Sequence, residues 1–137
     1  AASAAQAAGD KALAAAIAID RARALVALKR PEEAMAELAQ ARAAEPENAQ
    51  AWLLSATLSR RQDKLIEAQA QIEKAAQLAP QDPEVGLEAG VIAMLSGRPD
   101  AARRSWNAVV ALAAQSDAAA TARQYLAQLG PETNGTP

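Results

Sequence analysis

Residues 46–80 read PENAQAWLLSATLSRRQDKLIEAQAQIEKAAQLAP. Proline closes each end, Asn48 is placed to cap a helix, and Gln62-Asp63 interrupts two runs of helical spacing. This is one helix–turn–helix unit, and it does not stand alone. Ala34, Ala68 and Ala102 are 34 residues apart (68 − 34, 102 − 68). Aligned on them, Leu38, Ile72 and Trp106 share a column. Ala41, Ala75 and Val109 share a second, Ala22, Ala56 and Gly90 a third, and Pro46, Pro80 and Ala114 a fourth. A period of this size is the sign of a stacked helical array. Such an array offers a surface rather than an active-site pocket.

The same plan extends in both directions. Asp10 is a plausible N-cap for a helix to about Leu28, and Pro31 opens a second helix to about Ala44. Ala49 to Arg61 and Lys64 to Leu78 form the next pair. Asp82-Pro83 starts a helix to about Leu95, Ser96-Gly97-Arg98-Pro99 turns the chain, and a helix follows to about Ala113. A last helix begins after Ser116-Asp117 and ends near Leu129, where Gly130-Pro131 is a strong stop. Its stripe of Ala118, Ala122, Tyr125, Leu126 and Leu129 faces inward, with Arg123, Gln124 and Gln128 on the wet side. The expected domains are a low-complexity alanine segment at 1–9, either a frayed helix or the end of an upstream element, and repeats at 10–48, 49–82 and 83–116. A capping helix at 117–130 and a disordered tail at 131–137 complete the division.

Composition supports helices. Of the 137 residues, 51% are hydrophobic, but roughly three in ten of all residues are alanine, a strong helix former that takes little space. Close helix packing with thin side-chain layers follows. Aromatics are limited to Trp52, Trp106 and Tyr125. The net charge of −2, with both signs interspersed, argues against a dedicated nucleic-acid binder. No apolar run is long enough to span a bilayer as a helix.

With these residues in register, the chain resembles the tetratricopeptide repeat family over residues 15–116, with the cap beyond. The family pattern W-x2-L-G-x2-Y, A-x3-F, P is met in the second unit by Trp52, Ser55, Ala56, Ser59, Ala68, Ile72 and Pro80. The third gives Gly86, Ala89, Gly90, Ala93, Ala102, Trp106 and Ala114; the first gives Ala18, Arg21, Ala22, Leu25, Ala34, Leu38 and Pro46. Alanine and serine stand in the bulky columns, so fine packing must differ there. Trp52 and Trp106 are read as core. The fold implied is all-α: a right-handed α-α superhelix of three helix–turn–helix repeats plus the C-terminal cap.

Catalytic chemistry has little to work with. Histidine and cysteine are absent, which removes the usual general bases, thiol nucleophiles and metal ligands, and no phosphate loop is present. No catalytic residue, metal or cofactor is expected. Glu84 and Glu88, one turn apart, are a carboxylate pair, but acidic residues also favour a first helical turn through the dipole. Arg60 and Arg61, with Arg21 and Arg23, make either a basic patch or, for the first two, a helix end complementing the dipole.

In the family the first helix of each unit lines a concave groove for peptides or partner helices. The resemblance places Ile19 and Arg23 there in the first unit, beside Ala16, Val26 and Ala27. Leu53, Thr57, Arg60 and Arg61 follow in the second, with Gln50, and Glu84, Leu87, Val91 and Met94 in the third, with Leu95. Such a groove suits an amphipathic segment carrying acidic residues. Chaperone-binding members clamp a C-terminal carboxylate with lysines and asparagines. The matching positions here are Ile19, Arg23, Leu54, Glu84 and Glu88, so that mode is not expected. The expected function is a non-catalytic protein–protein interaction scaffold. The alternative is a structural piece of a longer array, or a homodimer through the N-terminal end where Leu13 and Ile17 lie. The Ala- and Arg-rich, Lys-poor composition points to a bacterial protein. Bacterial members are often exported, which leans the expected location to the periplasm over the cytoplasm.

Overall fold

The computed structural model describes residues 3–131. Among the described residues there are seven helices and no strand: α1 (Ala4–Ala27), α2 (Pro31–Ala44), α3 (Ala49–Arg61), α4 (Leu65–Leu78), α5 (Pro83–Leu95), α6 (Pro99–Leu112) and α7 (Asp117–Leu129). They fall into two compact units divided after Ala79, the first with α1–α4 and the second with α5–α7. Most of the expected tail, residues 132–137, and the first two alanines lie outside the described residues.

The repeat period is written in the caps. Asn48 Oδ1 accepts the backbone N–H groups of Gln50 (3.0 Å) and Ala51 (3.3 Å). Asp82 Oδ1 accepts that of Glu84 (2.9 Å), and Ser116 Oγ that of Ala119 (3.0 Å). The three residues are 34 apart (82 − 48, 116 − 82). Different side chains therefore perform one task, satisfying orphan donors at a helix start. Asn48 also reaches back, its Nδ2 donating to Glu45 Oε1 at 2.8 Å. We expect Asn48→Ala to lower stability by about 1 kcal/mol, read as a lowered urea midpoint. Asn48→Ser should recover most of the loss.

The turns inside the units repeat in the same way. Lys29, Asp63 and Gly97 have positive φ of 61°, 61° and 78°. The residue after each, Arg30, Lys64 or Arg98, donates its N–H to Leu25, Ser59 or Ala93 at 2.9, 2.8 and 2.9 Å. This backbone closure ends the first helix of each pair. Only Gly97 adopts the left-handed conformation without steric cost; Lys29 and Asp63 are held there by the closure and the helix that follows. Pro31 and Pro99 then open their helices at a position that has no intrahelical donor to lose.

One expected boundary is corrected. Ser3, not Asp10, caps α1, its Oγ accepting the N–H of Gln6 at 3.1 Å, and the helix runs unbroken through Gly9. Residues 3–14 are all exposed. That turn and a half of extra helix owes its form to alanine propensity rather than packing, and the surrounding alanines outweigh the single glycine.

In the first unit, Ala15, Ala18, Ile19 and Ala22 of α1 pack on Ala34, Leu38 and Ala41 of α2, with Ala51 and Leu58 of α3. Small side chains let the backbones approach, and Leu38, at 1% exposure, fills the space between them. The serines in bulky columns are buried and bonded. Ser59 Oγ donates to Gln71 Oε1 of α4 at 2.7 Å. Ser55 Oγ donates to the carbonyl of Ala51 at 2.7 Å and accepts from Arg42 Nη1 of α2. The Arg42 guanidinium also lies 5.3 Å from the centroid of the Trp52 ring. Trp52 is thus half-buried and not the core residue expected; its Nε1 donates to the Pro46 carbonyl at 2.7 Å.

In the second unit, Trp106 of α6 is buried as expected. It lies over Gly90 of α5, and a Cβ at Gly90 would sit 2.1 Å from Trp106 Nε1. That nitrogen donates to the Leu87 carbonyl at 3.2 Å, and the ring meets Tyr125 of α7 with centroids 5.2 Å apart. Arg103 of α6 donates to the Gly130 carbonyl at 2.8 Å and fixes the end of α7.

Candidate interaction surface

Each unit carries a cleft on its first-helix side. In the first unit the cleft lies between α1 and α3, has a volume of about 150 Å³, and is lined by Ala22, Arg23, Val26, Leu38, Leu54, Thr57, Leu58 and Arg61. Its lining is apolar apart from the two guanidinium groups and the Thr57 hydroxyl. Arg23 Nη2 donates to Gln50 Oε1 at 3.3 Å, and Nη1 lies 3.6 Å from Asp20 Oδ1, with both charged side chains well exposed.

Sequence reasoning placed Arg23, Thr57 and Arg61 on this surface, and the structure brings those three together. It does not bring the rest. Ile19 is part of the α1–α2 core at 5% exposure, and Leu53 is buried at 8%, so neither offers an apolar strip. Arg60 is half-buried and absent from the cleft wall. The face of α3 that lines the cleft is Leu54, Thr57, Leu58 and Arg61; of the expected row of Gln50, Leu53, Thr57, Arg60 and Arg61 it keeps Thr57 and Arg61, and it takes Leu54 in place of Leu53, one residue or about 100° of helix away. The spacing 54, 58, 61 is itself a helical stripe and was readable. What hid it is that α3 is apolar on two adjacent faces, so periodicity alone does not choose between them.

The four arginines do not form one patch. Arg21 lines a separate shallow cleft on the α1–α2 side with Ala24, Leu25, Glu33, Ala36 and Glu37. Arg21 and Arg23 are two residues apart, which turns them to different sides of the helix.

In the second unit a cleft of about 470 Å³ is lined by Val91, Met94 and Leu95 of α5, Trp106 of α6, and Tyr125, Gln128 and Leu129 around α7. Val91 and Met94 were expected on this face. Met94 and Leu95 are 41% and 56% exposed, and the final helix forms one wall. Leu87 is half-buried and packs against the unit's core. Tyr125 and Trp106 were missed as wall residues because their columns read as core. Their rings, tilted 47° to each other, both line the cleft.

Glu84 is exposed at the start of α5, whereas Glu88 is buried at 8% exposure. Neither lines the two clefts. Among the described residues no group of three His, Cys, Asp or Glu side chains is placed to hold a metal ion. Among them, too, no helix is long and apolar enough to cross a membrane.

A sequence profile of the tetratricopeptide repeat matches residues 15–58. The sequence matches no curated protein. Among solved structures, the chain is similar to the Arabidopsis OM64 TPR domain, with TM-score 0.77 and 17% identity over 86% of this chain and 98% of that one. The first TPR of Spaghetti (RPAP3), bound to the HSP90 peptide SRMEEVD, gives TM-score 0.80 and 15% identity over 86% and 94%. The second TPR domain of human RPAP3, in complex with the HSP70 peptide SGPTIEEVD, gives TM-score 0.75 and 18% identity over 91% and 99%. At these identities the likeness establishes the fold alone, an all-α helical repeat.

Proposed function

We propose that this chain, whose residues 15–58 match the tetratricopeptide repeat profile and whose fold is similar to that of TPR domains, is a non-catalytic interaction scaffold which binds a peptide or partner helix on the first-helix faces of its units. The observation that carries the reading is the α1–α3 cleft: a lining that is apolar at Ala22, Val26, Leu38, Leu54 and Leu58 and polar at Arg23, Thr57 and Arg61. This is the build of a recognition groove, in which apolar anchors supply affinity and sparse polar groups set register. The α5–α7 cleft supports the same reading in the second unit. That related folds hold peptides, SRMEEVD among them, is consistent with it.

Recognition here does not follow a terminal-carboxylate clamp. Of the matching positions, Ile19 is buried, Leu54 is apolar, and Glu84 and Glu88 are acidic, leaving Arg23 alone as a cation. The test is selection of a random-peptide display library on the immobilised chain, followed by titration of the enriched peptides. Affinity should fall about tenfold for Leu54→Glu or Met94→Glu, as for loss of an interface anchor, and not for Glu73→Arg on the exposed side of α4. Converting the peptide's C-terminal carboxylate to an amide should leave affinity unchanged. Failure to enrich any peptide, or indifference to both groove variants, overturns the proposal. A second reading, self-association through α1, is favoured by the exposure of Leu13 (61%) and Ile17 (44%). It would be supported if no peptide were enriched and light scattering gave a dimer mass lost on Leu13→Glu.

A further inference from the structure

We infer that the α1–α3 cleft takes a partner segment on which a carboxylate side chain, Asp or Glu, stands beside a bulky apolar one, the carboxylate held by Arg23 and Arg61. This rests on the peptide-binding reading and names its ligand chemistry.

Size sets the first limit. A volume of about 150 Å³ is the share of about five waters at about 30 Å³ each, and well below the range of about 300–1,000 Å³ usual for small-molecule and cofactor pockets. One large side chain fits it. The apolar part of the lining, with Val26, Leu54 and Leu58, offers that side chain no polar partner, so an apolar residue is preferred there.

Charge sets the second. Two guanidinium groups line the cleft and no carboxylate does. Arg61 stands in the last turn of α3, where the helix dipole already favours a cation. Arg23 has no such reason: it lies before the last turn of α1, which holds no basic residue. Its contacts are the Gln50 side chain at 3.3 Å and an exposed pair with Asp20 at 3.6 Å, an interaction that contributes little. A guanidinium beside apolar side chains, with another arginine on the same cleft, suits the planar geometry of a carboxylate. Charge complementarity therefore selects an acidic side chain over a neutral or basic one.

The experiment compares library selection on the wild-type chain with selection on two variants, Arg23→Glu/Arg61→Glu and Arg23→Gln/Arg61→Gln. Both positions are exposed, and unchanged far-ultraviolet circular dichroism confirms that the variants fold. Peptides enriched on the wild type should carry Asp or Glu next to, or one helical turn from, a large apolar residue. On the Glu variant the preference should turn to Lys or Arg, and on the Gln variant it should vanish. Replacing the acidic residue of an enriched peptide by its amide should weaken wild-type binding up to about fivefold, as for a charge pair at exposed arginines. Enrichment of peptides with no acidic preference, or an acidic preference that persists on the Glu variant, overturns this inference and leaves the scaffold reading intact. Absence of any enrichment overturns both.

Discussion

Alanine at Gly90 should destabilise the chain by about 3 kcal/mol, the upper end of the usual cost of overpacking a core. The added methyl would sit 2.1 Å from Trp106 Nε1 and 2.5 Å from Cδ1. The ring has nowhere to go. Its Nε1 is tied to the Leu87 carbonyl, its other side meets Tyr125, and it is 4% exposed. Moving it breaks a part-buried hydrogen bond and an aromatic pair together, the pair alone contributing about 0.5–1.5 kcal/mol. Urea unfolding followed by tryptophan fluorescence checks the value. The cause is isolated by a second substitution. If the clash is the mechanism, Trp106→Leu, itself destabilising, should cost less in the Gly90→Ala background than in the wild type, giving a coupling energy of more than about 1 kcal/mol. Simple additivity would reject the clash as the cause. Gly97 is the contrast: nothing lies within 4 Å of its virtual Cβ, and alanine there is disfavoured only by its positive φ.

The second large effect is expected at Arg42, where alanine should lower stability by about 2 kcal/mol. Its guanidinium bonds Ser55 Oγ and lies over the Trp52 ring. A hydrogen bond to a charged group contributes about 1.5–3 kcal/mol and a partly exposed cation–π contact about 0.5–1 kcal/mol. Against this stands desolvation, which pushes the pKa of Arg42 below the ordinary arginine value. The net is therefore smaller than the sum. Arg42→Lys should recover less than half of the loss, because an ammonium lacks the flat face that stacks on indole and the fork that reaches serine. Chemical denaturation of Arg42→Ala, Ser55→Ala and the double variant measures the coupling. A loss under about 0.5 kcal/mol for Arg42→Ala would reduce the contact to an ordinary surface pair.

The two sites show what could be read in advance. The columns of small residues, Ala34, Ala68 and Ala102 with Ala56 and Gly90, identify close helix crossings without coordinates, because only small side chains tolerate that distance. Gly90 and Trp106 occupy pattern columns on the two helices of one unit, so the register already places them on elements that cross. Arg42 and Ser55 do not. Arg42 carries no column identity, and Ser55 stands where the pattern calls for leucine. Their bond depends on a side chain reaching across from the neighbouring helix, which no spacing along one helix encodes.

The surface was legible in part for a related reason. Arg23, Thr57 and Arg61 line one cleft, as the register of the packing columns led one to expect of first-helix positions. Ile19 and Leu53 were misassigned because an apolar residue at a helix boundary face satisfies either side equally well. Leu54 and Leu58 were hidden as cleft residues by the same ambiguity. The start of α1 was misread because an exposed alanine helix needs no core, so a capping serine and intrinsic propensity were enough to extend it past Gly9.

The sequence by itself determined the local part of the architecture. The period, the helix starts at Asn48, Asp82 and Ser116, and the prolines that open helices are set by backbone chemistry acting over a few residues. Tertiary structure decided which turn residues take the left-handed conformation, since Lys29 and Asp63 have no intrinsic preference for it and are held by the helices they join. It also decided which face of α3 meets α1, which apolar residues become core and which become cleft, and where two arginines face the same space. Those outcomes depend on the rotation of one helix against another, a quantity fixed by the packing of many side chains at once and by no one of them alone.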